Sequence, residues 1–224
     1  MNIENSDQSS DDNNLPTKKY TKKHLNETHL KYLFGNIPKL NQLKYDNISI
    51  YSITPKTLAD EITIKLAQLS QKILNKNPND TTITEMTACI GGNVISFAKK
   101  FKYVNAIELC EERYNYLNHN INVLDIKNVN TINGDSLVQI KNLRQDIIFF
   151  DIPWGGRKYK YREKINLYIS KIPSYDACNM VKQYTKIICM KIPNNFNIEK
   201  FRNKVDMTIY SIIDLKKFQL VILI

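Results

Sequence analysis

At 224 residues the chain is long enough for one α/β domain with a full core and a short appendage, and its formal charge of +10, from 32 Lys and Arg against 22 Asp and Glu, favours a polyanionic partner such as nucleic acid. No apolar run approaches a membrane span, no secretory signal opens the sequence, and Cys89, Cys110, Cys178 and Cys189 lack Cys-x-x-Cys or Cys/His ligand spacing. These features set aside a membrane protein, a disulfide scaffold and a zinc or other metal site, and point to an intracellular protein, nuclear or cytoplasmic, with reduced thiols.

Residues 1–24 carry Asp, Asn and Ser with almost no apolar side chain to offset ordering entropy, which predicts a disordered tail. Its basic run, Lys18-Lys19-Tyr20-Thr21-Lys22-Lys23, reads either as a phosphate-contacting or nuclear import segment or as a solvated tail. Over residues 25–56 apolar density rises through Leu30, Leu33, Phe34, Ile37 and Leu40, which predicts a small helical lid. Thr54 can then cap a helix and Pro55 suits its first turn. Leu58, Ile62, Leu66, Leu69 and Ile73 follow at helical spacing, so one face of that helix packs on a sheet.

The main domain, 57–224, alternates from there. Strands are predicted at 81–88, 103–108, 128–133, 146–151, 186–191, 207–213 and 218–224, with helices at 93–100, 111–124 and 173–184. This alternation implies a seven-stranded, mainly parallel sheet with helices on both faces, and the two consecutive strands at the end put one antiparallel strand in it.

Open sheets of this kind bind ligands at the carboxyl ends of their strands. Asp151-Ile152-Pro153-Trp154-Gly155-Gly156 follows the apolar run 147–150 there. Asp151 offers a carboxylate that can grip an exocyclic amino group with its lone pair aimed outward, and Trp154 offers a face for a base. That pairing suits an amino methyltransferase acting on a nucleobase. Glu85-Met86-Thr87-Ala88-Cys89-Ile90-Gly91-Gly92-Asn93 ends the first strand and opens a helix, where paired glycines allow close backbone approach. Glu108, ending the second strand, can take both ribose hydroxyls, and Asp135, after Gly134, can accept from an adenine amino group. No phosphate-cradling loop with a following Lys is present, so the ligand reads as a nucleoside without a triphosphate, and S-adenosylmethionine fits. Thr54, Thr87, Gly91, Gly92 and Asn93, with Glu108, Asp135 and Asp151, are the candidate cofactor-binding residues. Arg157-Lys158-Tyr159-Lys160-Tyr161-Arg162-Glu163-Lys164 places charge and aromatic faces at the lip of the base pocket, which suits RNA.

Tyr51-Ser52-Ile53-Thr54-Pro55, Gly91-Gly92-Asn93, Gly134-Asp135 and Pro153-Trp154-Gly155-Gly156, in this order and spacing, resemble trimethylguanosine synthase, the RNA cap guanine-N2 methyltransferase family. The resemblance spans roughly residues 31–224 and includes Lys44-Tyr45-Asp46. It implies a Rossmann-like class I methyltransferase core closed by the N-terminal helices, a monomer, and transfer from S-adenosylmethionine to the 2-amino group of a 7-methylguanosine cap. Asp151, Pro153 and Trp154 are the candidate catalytic residues, and by the same resemblance Trp154 stacks on the methylated base. Tyr159, with Arg157, Lys158, Lys44 and Asn194, meets the cap. The chain also departs from the family pattern. Asp151-Ile152-Pro153 stands for a small polar residue and two prolines, Cys89 for the first glycine of the cofactor loop, Glu85 for an Asp, and Asn194 for an arginine. Read from residues alone, an adenine-N6 or ribosomal guanine methyltransferase and a silent RNA-binding subunit stay open. Asn, Lys, Ile and Tyr richness fits an AT-rich genome, as of a protist or a large DNA virus.

Overall fold

The computed structural model describes residues 25–224, and the predicted tail over 1–24, with its basic run, lies outside the described residues. The first helix, α1 (Glu27–Phe34), is capped by Asn26, whose side chain accepts from the His29 N–H. Its Leu30, Leu33 and Phe34 are buried at one-turn spacing. A 3₁₀ turn at Leu40–Gln42 and the short α2 (Ser49–Ser52) lead to α3 (Lys56–Leu74), the longest helix described. The cap expected from Thr54 is not made: Pro55 occupies the N-cap with no side-chain hydrogen bond, because the Thr54 hydroxyl is spent elsewhere.

The alternating part follows as β1 (Thr82–Glu85), α4 (Gly92–Ala98), β2 (Tyr103–Glu108), α5 (Glu111–Val123), β3 (Val129–Asn133), α6 (Ser136–Gln139) and β4 (Ile147–Phe150). A hairpin, β5 (Tyr168–Ile169) and β6 (Ile172–Pro173), precedes α7 (Ser174–Val181), whose last turn continues as 3₁₀ through Tyr184. The chain ends with β7 (Ile187–Ile192), α8 (Ile198–Arg202), β8 (Ile209–Asp214) and β9 (Gln219–Leu223). The hairpin and α8 fall in stretches where the sequence gives no sustained periodicity.

One seven-stranded sheet runs in the order β3-β2-β1-β4-β7-β9-β8, with a separate two-stranded β5-β6 piece. Pairing is parallel from β3 to β7, and β9 is antiparallel to both neighbours. This is the doubly wound α/β architecture with one antiparallel strand, as expected. β9 enters between β7 and β8 rather than at the edge.

Successive residues of a strand face opposite sides of a sheet, and β4 shows it. Ile147 and Phe149 join the core under α3, α4 and the N-terminal helices, whereas Ile148 and Phe150 join the core under α7 and α8. Phe149 meets Phe97 of α4 edge-on at 5.3 Å. Emptying such a site by Phe→Ala costs about 3–5 kcal/mol. Leu30, Leu33, Phe34, Leu40 and Leu43 belong to the first of these cores, so the N-terminal helices are packed onto the domain. Strand order reverses between β1 and β4, and in open α/β sheets the ligand crevice lies outside the carboxyl ends of the strands at such a point.

Candidate active site

Two loops meet in that crevice. After β1 the chain turns tightly, with the Gly91 N–H donating to the Ala88 carbonyl at 2.9 Å and both Cys89 (φ 50°) and Gly91 (φ 101°) in the left-handed region. Gly92 serves a different need. A side chain there would begin 2.5 Å from Ile53 Cγ1 and 2.9 Å from the Thr54 carbonyl oxygen, so the glycine admits the segment before α3 against the start of α4. The glycine pair thus brings the N-terminal segment close, as well as leaving room for a ligand.

Glu108, nearly buried at the end of β2, is held by backbone. Its Oε2 accepts from the Cys89 N–H at 2.8 Å and its Oε1 from the Cys110 N–H at 2.9 Å. Arg113 Nε stands 3.5 Å from Oε1, and Arg113 also lies 3.7 Å from Asp46, tying the carboxylate to the N-terminal segment. Each carboxylate oxygen keeps a further lone pair for a hydroxyl donor. Asp135 is half-buried and caps α6, its Oδ1 accepting from the Leu137 N–H at 2.9 Å, with Oδ2 left over.

Glu85 lies deeper still. Its Oε1 accepts from Asn93 Nδ2 at 2.9 Å and its Oε2 has no partner. Burial pushes its carboxyl up to about 8. Thr87 Oγ1, Asn93 Oδ1 and Trp154 Nε1 are likewise buried without hydrogen bonds, and with Glu85 Oε2 they complete the set of such side-chain atoms among the described residues. Buried polar groups are almost always paired. All four here belong to residues that follow or adjoin β1 and β4, so the unmet hydrogen bonds concentrate where a ligand would sit.

Asp151 directly follows β4, with every described hydrogen bond to its carboxylate on one oxygen. Its Oδ2 accepts from Thr54 Oγ1 at 2.8 Å, from Lys191 Nζ at 2.9 Å and from Asn93 Nδ2 at 3.1 Å. Lys191 Nζ also donates to Thr54 Oγ1 at 2.8 Å. Asn93 therefore spends its two amide hydrogens on two acids, Glu85 and Asp151. Lys191 was not singled out from the sequence, although a lone lysine in the otherwise apolar Ile187–Ile192 was the signal available. Its Nζ lies 5.2 Å from the Trp154 ring centroid and 5.1 Å from that of Phe218.

Trp154 packs against both cores and meets Tyr159 edge-on, with centroids 5.1 Å apart and planes at 75°. Pro153 is exposed beside it. The 3₁₀ segment Gly156–Tyr161 carries Arg157, the exposed Lys158 and Lys160, and Tyr161 at 89% exposure. Asn195 fastens this segment, its Nδ2 donating to the carbonyls of Tyr159 at 2.9 Å and Arg162 at 2.8 Å. Asn194 is exposed and donates to the Lys216 carbonyl at 3.2 Å. Lys44 is fixed through its backbone, which exchanges two hydrogen bonds with the Asn120 side chain, while its own side chain is exposed.

A cluster of acids at four strand ends, with a tryptophan and a basic segment beside them, is the setting in which the similarity to known proteins is informative. Residues 80–216 match the family described as RNA cap guanine-N2 methyltransferase. Uncharacterized protein L320 of Acanthamoeba polyphaga mimivirus is 37% identical over 204 residues, covering 82% of this chain and 80% of that protein. Among solved structures, a protein of Porphyromonas gingivalis W83 named for a methyltransferase aligns at TM-score 0.58 and 18% identity over 80% of this chain, which spans 42% of that protein's length. A Pyrococcus horikoshii protein named for an RNA methyltransferase aligns at TM-score 0.55 and 13% identity, over 88% of this chain and 97% of its own. At those identities the two structures establish the shared fold. The family match covers more than half of the sequence, and the chain is therefore a methyltransferase belonging to the RNA cap guanine-N2 methyltransferase family.

Proposed function

We propose that the protein transfers a methyl group from S-adenosylmethionine to the exocyclic 2-amino group of a 7-methylguanosine cap on RNA. The observation that carries this reading is the juxtaposition just after β4: an acid with one oxygen anchored, three residues before a tryptophan that packs against both cores. S-adenosylmethionine supplies an electrophilic methyl on a sulfonium sulfur. Glu108 and Asp135 would hold its nucleoside, and Glu85 Oε2 and Asn93 Oδ1, both lacking donors, suit its ammonium group.

The remaining chemistry belongs to the chain. Trp154 stacks the base, and a delocalised 7-methylguanine cation gains about 0.5–2 kcal/mol on an aromatic face beyond its stacking. Asp151, through Oδ1, accepts an N–H of the 2-amino group, which turns the nitrogen lone pair toward the methyl donor. An amine so aligned is already a workable nucleophile, so positioning supplies much of the acceleration. The same carboxylate faces the positive charge that develops on the nitrogen. Lys158 and Lys160 meet the cap phosphates as point charges at the rim.

The deciding experiment is methyl transfer to a capped dinucleotide with mass analysis of the product, run on matched caps with and without the 7-methyl group. Methylation at the guanine 2-amino group with a strong preference for the 7-methylated cap is expected. Comparable rates on the two caps, or a methylated adenine, would reject this substrate.

A further inference from the structure

We infer that Lys191 is a positioning residue for the methyl transfer, acting through Asp151. The inference rests on Asp151 facing the acceptor amine, as proposed above. Lys191 is the only lysine or arginine buried among the described residues, with its side chain 8% exposed beside the 12% exposed side chain of Asp151. It reaches from β7, the strand paired with β4, and closes a three-membered ring of hydrogen bonds with Asp151 and Thr54. The ring fixes both the rotation of the carboxylate and the segment before α3.

Its placement gives the carboxylate two unlike oxygens. Oδ2 is saturated by an ammonium, an amide and a hydroxyl, so an incoming amine finds only Oδ1. Without Lys191 the carboxylate would lose its charge-assisted anchor and keep only the neutral bonds from Thr54 and Asn93, so Oδ2 would hold its orientation less firmly. The fold does not demand this arrangement, since well-packed apolar residues commonly replace a buried ion pair at no loss of stability. The lysine is also confined by aromatic rings of Trp154 and Phe218, so its position depends on the same tryptophan that would stack the base.

A double-mutant cycle tests the assignment. Lys191→Met, Asp151→Ser and the double variant are compared by kcat, KM and S-adenosylhomocysteine affinity, with melting curves to verify folding. Lys191→Met alone is expected to lower kcat about tenfold or more while the KM for the acceptor and the affinity for S-adenosylhomocysteine stay within about twofold. In the Asp151→Ser background the same change is expected to alter kcat by less than about twofold, because a residue acting through another has no effect once that partner is gone. Equal losses in both backgrounds, or a loss confined to binding, would overturn the inference. Should Lys191→Met not fold, Lys191→Arg keeps the charge but not the point placement of the ammonium. Its kcat should fall about fivefold with melting unchanged, and a wild-type kcat would overturn the inference. The cycle is run on whichever acceptor the wild type methylates, a 7-methylguanosine-capped dinucleotide or an uncapped RNA oligonucleotide, so a wrong substrate and a wrong role for Lys191 give different results. No turnover on either rejects both.

Discussion

The two halves of the crevice are built differently. On the β1–β2 side, Glu108 is fixed by two backbone N–H groups and Arg113, and Glu85 and Asn93 are buried in mutual contact. On the side beyond Trp154, a 3₁₀ segment exposes Lys158, Lys160 and Tyr161 and is fastened mainly by Asn195. A group whose donors are backbone amides fixed by the fold needs no reorganisation to receive a ligand. A rim of long exposed side chains gives instead long-range attraction and tolerance of shape. The first half fits a small molecule of constant structure, and the second a flexible polyanion whose chain continues into solvent.

Breaking the tryptophan should have the largest effect. Trp154→Ala is expected to remove most of the discrimination between 7-methylated and unmethylated caps, which at the upper end of a cation–aromatic contact amounts to about thirtyfold. Trp154→Phe should keep part of it. Initial rates on the two caps measure this directly.

Next comes the rigid half. Glu108→Ala removes charge-assisted hydrogen bonds worth about 1.5–3 kcal/mol, so calorimetric affinity for S-adenosylhomocysteine should fall about tenfold or more. The same change strips acceptors from the Cys89 and Cys110 amides, so the melting temperature should drop as well. Asp135→Ala should weaken binding less, its cost shared with the lost cap of α6, about 0.5–2 kcal/mol of stability.

The rim should respond to salt where the rigid half does not. Lys158→Ala with Lys160→Ala is expected to raise the KM for capped RNA about threefold to tenfold at low ionic strength, and the difference from wild type should shrink as salt rises. S-adenosylhomocysteine affinity should be unchanged in that variant.

The last expected effect is a slope, read in the protein without ligand. Glu85 ionises near its ordinary 4.5 when the chain is unfolded and at about 8 when folded, because burial opposes its charge. Between those values the folded protein binds more protons than the unfolded one, so stability without ligand should fall as pH rises from 4.5 toward 8. An ammonium ligand favours the ionised carboxylate, so its affinity should strengthen over the same range. Glu85→Gln should flatten that part of the stability curve in melts taken across pH.

The sheet was legible because its strands are short apolar runs separated by helices of ordinary periodicity, and β4 and β7 carry four or more apolar residues in succession. Acids at the strand ends were legible for the same reason: Glu108 and Asp151 interrupt apolar runs where a core offers no use for them. Glu85 was visible in the motif but not as a deeply buried acid, since burial depends on what α4 brings over it. Lys191 escaped because its meaning is a partner 40 residues away on a neighbouring strand, and periodicity along one strand carries no record of that. Thr54 was read for a local role, a helix cap, and a partner distant in sequence took its hydroxyl instead. The hairpin of β5 and β6 and the five-residue α8 are too short for periodicity to register.

The ring of Asp151, Lys191 and Thr54 also bears on how such a sequence can change. Losing the lysine first strands a carboxylate away from water, and losing the aspartate first strands an ammonium, with penalties of about 3–5 kcal/mol for the broken pair. That is a large part of a typical domain's whole stability. The small polar residue that the resembling family carries at the position of Asp151 is thus separated from this chain by a two-step path with an unfavourable middle. Asp151 and Lys191 should therefore be inherited together, and relatives that have lost one should have lost both.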